Sequence, residues 1–109
     1  MKKTIYEKII EALEKNFQKE EVFFGSDLKS ILASEYEINP GSILLTDYCY
    51  NRYNEGIVFD KHLFEYLERN KFKYLGENYP YSGKVFHKPK RSQVEHIVGE
   101  WVKGELKMF

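Results

Sequence analysis

A single cysteine, Cys49, leaves the chain without an internal disulfide, and a reducing compartment is the simple consequence. Long apolar runs are missing as well. No stretch approaches the ~18–20 apolar residues of a membrane span. The opening MKKTIYEKII mixes charge with apolar groups, unlike the apolar stretch of a signal peptide. A cytoplasmic protein is therefore expected. Net charge is absent too, because 17 Lys and Arg balance 17 Asp and Glu. That counts against a general polyanion binder, whose affinity comes from phosphate neutralisation. The glycines are dispersed and build no phosphate loop. Cys49, His62, His87 and His96 lack the paired spacing of zinc sites, so no metal or cofactor is expected. Nothing beside Cys49 supplies a base that would make it a nucleophile. The chain carries no enzyme signature and is expected not to be an enzyme.

What is abundant is rings. Aromatic residues make up 17% of the chain, with 9 Tyr and 8 Phe. The length of 109 residues suits one domain spanning 1–109 with one core. Charged residues at 31% argue for a well-solvated surface and against disorder.

Ile5, Ile9, Leu13 and Phe17 recur every four residues, which predicts a helix over residues 4–19. Residues 21–24, EVFF, read as a short strand. Ser26 is placed to cap a second helix, with Asp27 in its first turn. Asn39-Pro40 resembles an N-cap followed by proline at the first helical position, so a third helix is predicted over residues 40–52. In it Ile43, Leu44 and Tyr48 would face the core. LFEYLE and KFKYL alternate about Arg69-Asn70 and predict a β-hairpin. Residues 84–88 read as a further strand. Ser92 and Glu95 form a capping box ahead of Val94, Ile97, Val98 and Trp101, which predicts a C-terminal helix ending at Gly104. The resulting order is that of an α+β, winged helix-turn-helix-like domain with three N-terminal helices, a β-hairpin wing and a C-terminal helix.

The densest chemistry lies in residues 46–56, TDYCYNRYNEG. Rings, side-chain amides and an arginine in one short stretch describe a recognition surface. On the predicted third helix, Ser42, Thr46, Asn51, Arg52 and Asn54 are candidate DNA contacts. Asn can hold adenine at two points and Arg can hold guanine at two points. The structural alternative is that the asparagines cap the helix and its exit loop. Lys84, Lys88, Lys90 and Arg91, in KVFHKPKR without an acid, are candidate phosphate contacts, or else lysines guarding an edge strand. Tyr48, Tyr50, Tyr53, Tyr79 and Tyr81 are a candidate aromatic pocket for a flat or cationic ligand, such as a base out of its stack, or else core.

TDYCYNRYNEGI, followed by LFEYLERNKFKYLGENYPYSGKVFHKPK, resembles a small uncharacterised bacterial and phage domain family with an (S/T)DYCYNRxN motif, over residues 40–90. The resemblance implies a winged-helix-like fold and an association with restriction-like nuclease genes. It transfers no catalytic residue. The expected function is non-catalytic recognition of double-stranded DNA, plain or modified, in restriction, defence or phage counter-defence. The rival expectation is a protein-binding inhibitor or regulator of a bacterial nuclease. A homodimer formed through the predicted C-terminal helix with Trp101 is a further expectation, the alternative being burial of that helix within the monomer.

Overall fold

The structure is a computed structural model and describes residues 3–89, 91 and 93–109. Helix α1 (Ile5–Asn16) begins at Thr4, whose side chain accepts from the Glu7 amide while the Glu7 carboxylate accepts from the Thr4 amide. This reciprocal pair satisfies two amides that the first turn leaves open. The four-residue spacing buries Ile9 and Leu13, with Ala12 beside them. Strand β1 (Val22–Phe24) follows and leads without a loop into helix α2 (Gly25–Tyr36).

Helix α2 has no side-chain cap of its own. Its first amides are taken by a distant residue: Gly25 donates to the Asn70 carbonyl and Ser26 to Asn70 Oδ1, both at 2.9 Å. Ser26, expected as the cap, is a first-turn residue instead. Close approach here requires glycine, since a Cβ on Gly25 would sit 2.8 Å from the Phe72 ring.

Strands β2 (Phe64–Glu68) and β3 (Lys71–Tyr74) form the expected hairpin, with Asn70 in the left-handed region (φ 61°) at its turn. With β1 they make an antiparallel sheet of order β1-β3-β2. A second antiparallel sheet, β4-β5-β6, contains β4 (Gly83–His87), β5 (His96–Val102) and β6 (Glu105–Met108). Lys103 and Gly104 (φ 48° and 86°) form the two-residue loop between β5 and β6. Positive φ at both positions matches the right-handed twist of paired strands.

Two expectations are overturned. Residues 40–52 are not a helix. They form 3₁₀ turns at Pro40–Ser42 and Leu45–Tyr48, after which single bridges at Cys49 and Arg52 flank a turn at residues 50–51. Asn39 does cap, accepting from Gly41, but the chain leaves helical geometry at Ile43. Leu44, expected in the core, is 57% exposed. The C-terminal helix is also absent, because its residues form the β5–β6 hairpin. Ser92, half of the expected capping box, lies outside the described residues. With two α-helices and two three-stranded sheets among the described residues, this is a small α+β fold and not a winged helix-turn-helix.

Two apolar clusters result. The larger, with Ile9, Leu13, Leu32, Phe64 and Phe72, lies between the helices and the first sheet. The smaller is Tyr50, Leu75, Tyr81, Val85 and Trp101. Among the described residues no helix is long and apolar enough to cross a membrane.

Candidate functional site: an aromatic cleft beside an intersheet clasp

Residues 49–53 run between the two sheets and pair with both. Cys49 bridges to Phe64 in parallel, and the Tyr50 amide donates to the Phe64 carbonyl at 2.8 Å. Further along, Phe86 donates to the Asn51 carbonyl and Tyr53 to the Phe86 carbonyl, at 3.0 and 2.9 Å. The segment thus covers the outer edge of β2 on one side and of β4 on the other.

The candidate base-reading side chains serve this clasp. Asn51 makes a two-point contact, but with protein: Nδ2 donates to the Tyr66 carbonyl at 2.9 Å and Oδ1 accepts from the Tyr66 amide at 2.8 Å. Arg52 lies 4.9 Å over the Tyr66 ring and pairs with Glu95 at 2.5 Å. Asn54 Nδ2 donates to Asp47 at 2.7 Å and to the Thr46 hydroxyl at 3.1 Å. The Ser42 hydroxyl donates to the Asn39 carbonyl at 2.7 Å, closing its own turn.

The basic residues are spread out. Lys84 pairs with Glu100 at 3.0 Å on the face of the second sheet. Lys88 and Arg91 are exposed and make no ion pair among the described residues, while Lys90 lies outside them.

The five tyrosines do not share one pocket. Tyr48 stacks on Tyr6 at 5.8 Å, and Tyr53 packs edge-on against Phe59 and His87. Tyr81 stacks behind Tyr50 at 5.2 Å and donates to Glu65. Of the five, Tyr50 and Tyr79 line a cleft that α1, the loops and the second sheet wall and that encloses about 510 Å³. That volume lies within the range of small-molecule sites. Tyr50 is fixed there three times over. Its hydroxyl donates to the Gly76 carbonyl at 2.6 Å and accepts from the Tyr79 amide, and its carbonyl accepts from Trp101 Nε1 at 2.8 Å.

Other lining residues were not candidates for a ligand site in the sequence, among them Tyr6, Phe59, Asp60, His62, Glu77 and Trp101. His62 packs 4.3 Å from Phe59 and edge-on to Trp101 at 5.2 Å. Burial lowers its pKa, which favours the neutral ring. Tyr6 donates to Glu77 at 2.9 Å. Its pKa is driven well up, first by burial and then by that carboxylate, so the phenol keeps its proton. Asp60, Glu77 and Lys103 supply charge at the walls. No local spacing links Tyr6 to Trp101, so only the fold could reveal this gathering.

The cleft can stack a ring and can both accept and donate hydrogen bonds. Cys49, the one thiol, is 0% exposed, and burial raises its pKa far above the ordinary thiol range. Among the described residues no group of His, Cys, Asp and Glu gathers as a metal ion would need.

Fold and cleft together define a small α+β domain whose two antiparallel sheets are clasped by an aromatic segment. The chain belongs to the family described as a domain of unknown function, DUF7225, which matches residues 4–108. It is also similar to "Uncharacterized protein YnaC" of Bacillus subtilis (strain 168), 52% identical over 101 residues. The match covers 93% of this chain and 38% of that protein, so the chain spans about two-fifths of the length of this curated relative. These matches agree with the expectation of a small bacterial family. No solved structure matches the chain.

Proposed function

We propose that this domain is a non-catalytic recognition module whose aromatic cleft holds a planar, nitrogen-rich ring of the nucleobase kind. The ring would come either from a free nucleotide or from a DNA base turned out of its stack. One observation carries this reading: Tyr50, Phe59, His62 and Trp101 line a single cleft that also contains Glu77 and Asp60. Stacking a base on a protein ring contributes about 1–3 kcal/mol by alanine substitution and tolerates any base. A carboxylate selects among bases by accepting from an exocyclic amino group. Lys103, also on the cleft and without an ion pair among the described residues, suits a phosphate.

Groove reading of duplex DNA by Ser42, Thr46, Asn51, Arg52 and Asn54 has weaker support, because each already has an intramolecular partner. A cytoplasmic setting belongs to the same proposal and rests on the free, buried Cys49. The rival reading, a regulator of a bacterial nuclease, draws on the loop beside the cleft, where Val58 is 75% exposed and Ile57 is also open. It predicts a stoichiometric nuclease partner in pull-downs, with no affinity for bases.

Trp101 is the only tryptophan, so its fluorescence reports on the cleft directly. Titration with nucleoside monophosphates, single-stranded oligonucleotides and plain or adenine-methylated duplexes should give saturable quenching with at least one class. Glu77→Gln should weaken it by about tenfold or more, as expected for loss of a charge-assisted hydrogen bond. Flat titrations with every class up to millimolar ligand would overturn the reading.

A further inference from the structure

The clasp covers β2 and β4, so the second sheet has one remaining open edge, β6. Nothing among the described residues pairs with its outer side. The Phe109 amide donates to the Val98 carbonyl at 2.9 Å. Antiparallel alternation then turns the main chains of Glu105 and Lys107 towards β5 and those of Leu106 and Met108 outwards.

The side chains across this sheet fall in two rows. On one face Lys84, Glu100 and Lys107 are successive register partners and alternate in sign. That row stops at the open edge on the positive charge of Lys107. On the other face Trp101 is paired with Leu106, which ends an apolar row. Met108, 42% exposed, lies beside it on the same edge.

An edge with Leu106 and Met108 outwards can pair antiparallel with a second copy in three registers. Placing Leu106 opposite Met108 sets Lys107 against the Lys107 of the partner subunit. Placing Met108 opposite its own copy sets Lys107 against the partner's Phe109. Placing Leu106 opposite its own copy sets Lys107 against the partner's Glu105, and the reverse pair forms by symmetry. Opposite charges directly across a strand pair stabilise it and like charges destabilise it. Only the last register has two favourable pairs.

We propose that the domain self-associates through β6, with Leu106 opposite Leu106 of the partner subunit, as an isologous dimer. The alternating row then continues from Lys84 through Glu100 and Lys107 to the partner's Glu105. Lysine at an edge usually keeps other strands away. Here a second copy brings the countercharge. The same contact puts Leu106, which lines the aromatic cleft, at the two-fold axis, so the two clefts would open beside one another.

Sedimentation equilibrium over a concentration series tests this, with mass rising from 13.1 kDa towards twice that value. Glu105→Lys alone and Lys107→Glu alone each place like charges across the axis and should weaken association by about tenfold. Mixing the two variants should restore it, because every cross-pair is then Lys against Glu. Both positions are exposed, and thermal melts of each variant verify that it is folded. A protein that stays monomeric at millimolar concentration overturns the proposal. So do single variants that associate like the parent, or a mixture that associates no better than its components.

Discussion

Replacing Asn51 tests whether its amide serves the fold or a ligand. Asn51→Ala removes two hydrogen bonds to Tyr66, at 2.9 and 2.8 Å, on the edge of β2. Each such bond contributes about 0.5–1.5 kcal/mol net, and a partner group left unsatisfied adds to the loss. Both Tyr66 groups are part-buried, so the expected cost is about 2–3 kcal/mol. Unfolding entropy of about 2.1 cal/mol/K per residue comes to about 0.23 kcal/mol/K for 109 residues. The melting temperature should therefore fall by about 9–13 °C, read by far-UV circular dichroism. Asn51→Asp should do no better. It keeps an acceptor for the Tyr66 amide but sets a carboxylate oxygen against the Tyr66 carbonyl. A melting temperature within about 2 °C of the parent would refute the structural role. If that variant also lost affinity for DNA, the amide would be a base reader after all.

Burial lowers the pKa of His62 below 6.5, its unfolded value, so the unfolded chain binds more protons as pH falls through 6.5. Its contribution to stability is complete above that pH and declines below it; urea midpoints between about pH 8 and about pH 5 should fall with pH, less so in His62→Gln, and a rise on acidification would contradict this. Asn70→Ala removes the cap on α2 and puts alanine at φ 61°, whereas Asn70→Gly keeps the turn and loses only the side-chain cap. Alanine should cost about 2 kcal/mol and glycine about 1 kcal/mol or less in chemical denaturation, and equal losses would remove the cost assigned to the turn. Cys49 should resist a thiol reagent in the folded protein and react fully in denaturant; rapid native labelling would show that its burial is transient.

Much of the fold was legible where the forces are local. The four-residue spacing of Ile5, Ile9 and Leu13 gave α1, and alternation about Arg69-Asn70 gave β2 and β3. The two failures have separate causes. Asn39-Pro40 starts a 3₁₀ turn as readily as a helix, and what stops it is distant. The partners of residues 49–53 are Phe64, Tyr66 and Phe86, which no local pattern announces. In β5 a bulge sets Val85 opposite Gly99 but Phe86 opposite Ile97, leaving Val98 as the extra residue. An extra residue shifts the phase of alternation. Val94, Ile97, Val98 and Trp101 thereby acquire a helix-like spacing, although β-branched residues and the Lys103-Gly104 turn pointed to a hairpin. The site divided in the same way. The aromatic character of TDYCYNRYN was visible; of the five candidate tyrosines the fold brings Tyr50 and Tyr79 to the cleft, where Tyr6, His62 and Trp101 join them only through the fold.

The clasp also limits how the chain can be divided. Residues 75–82, between the first sheet and the second, resemble a natural place to cut. A fragment ending there would keep the clasp but lose Phe86, which occupies the Asn51 carbonyl and the Tyr53 amide, and lose Trp101 from beside Tyr50. A fragment beginning there would bare the edge of β4. Both sheets bond to one shared segment, so the two should melt in a single transition, and amide protons on both sides of the clasp should exchange together.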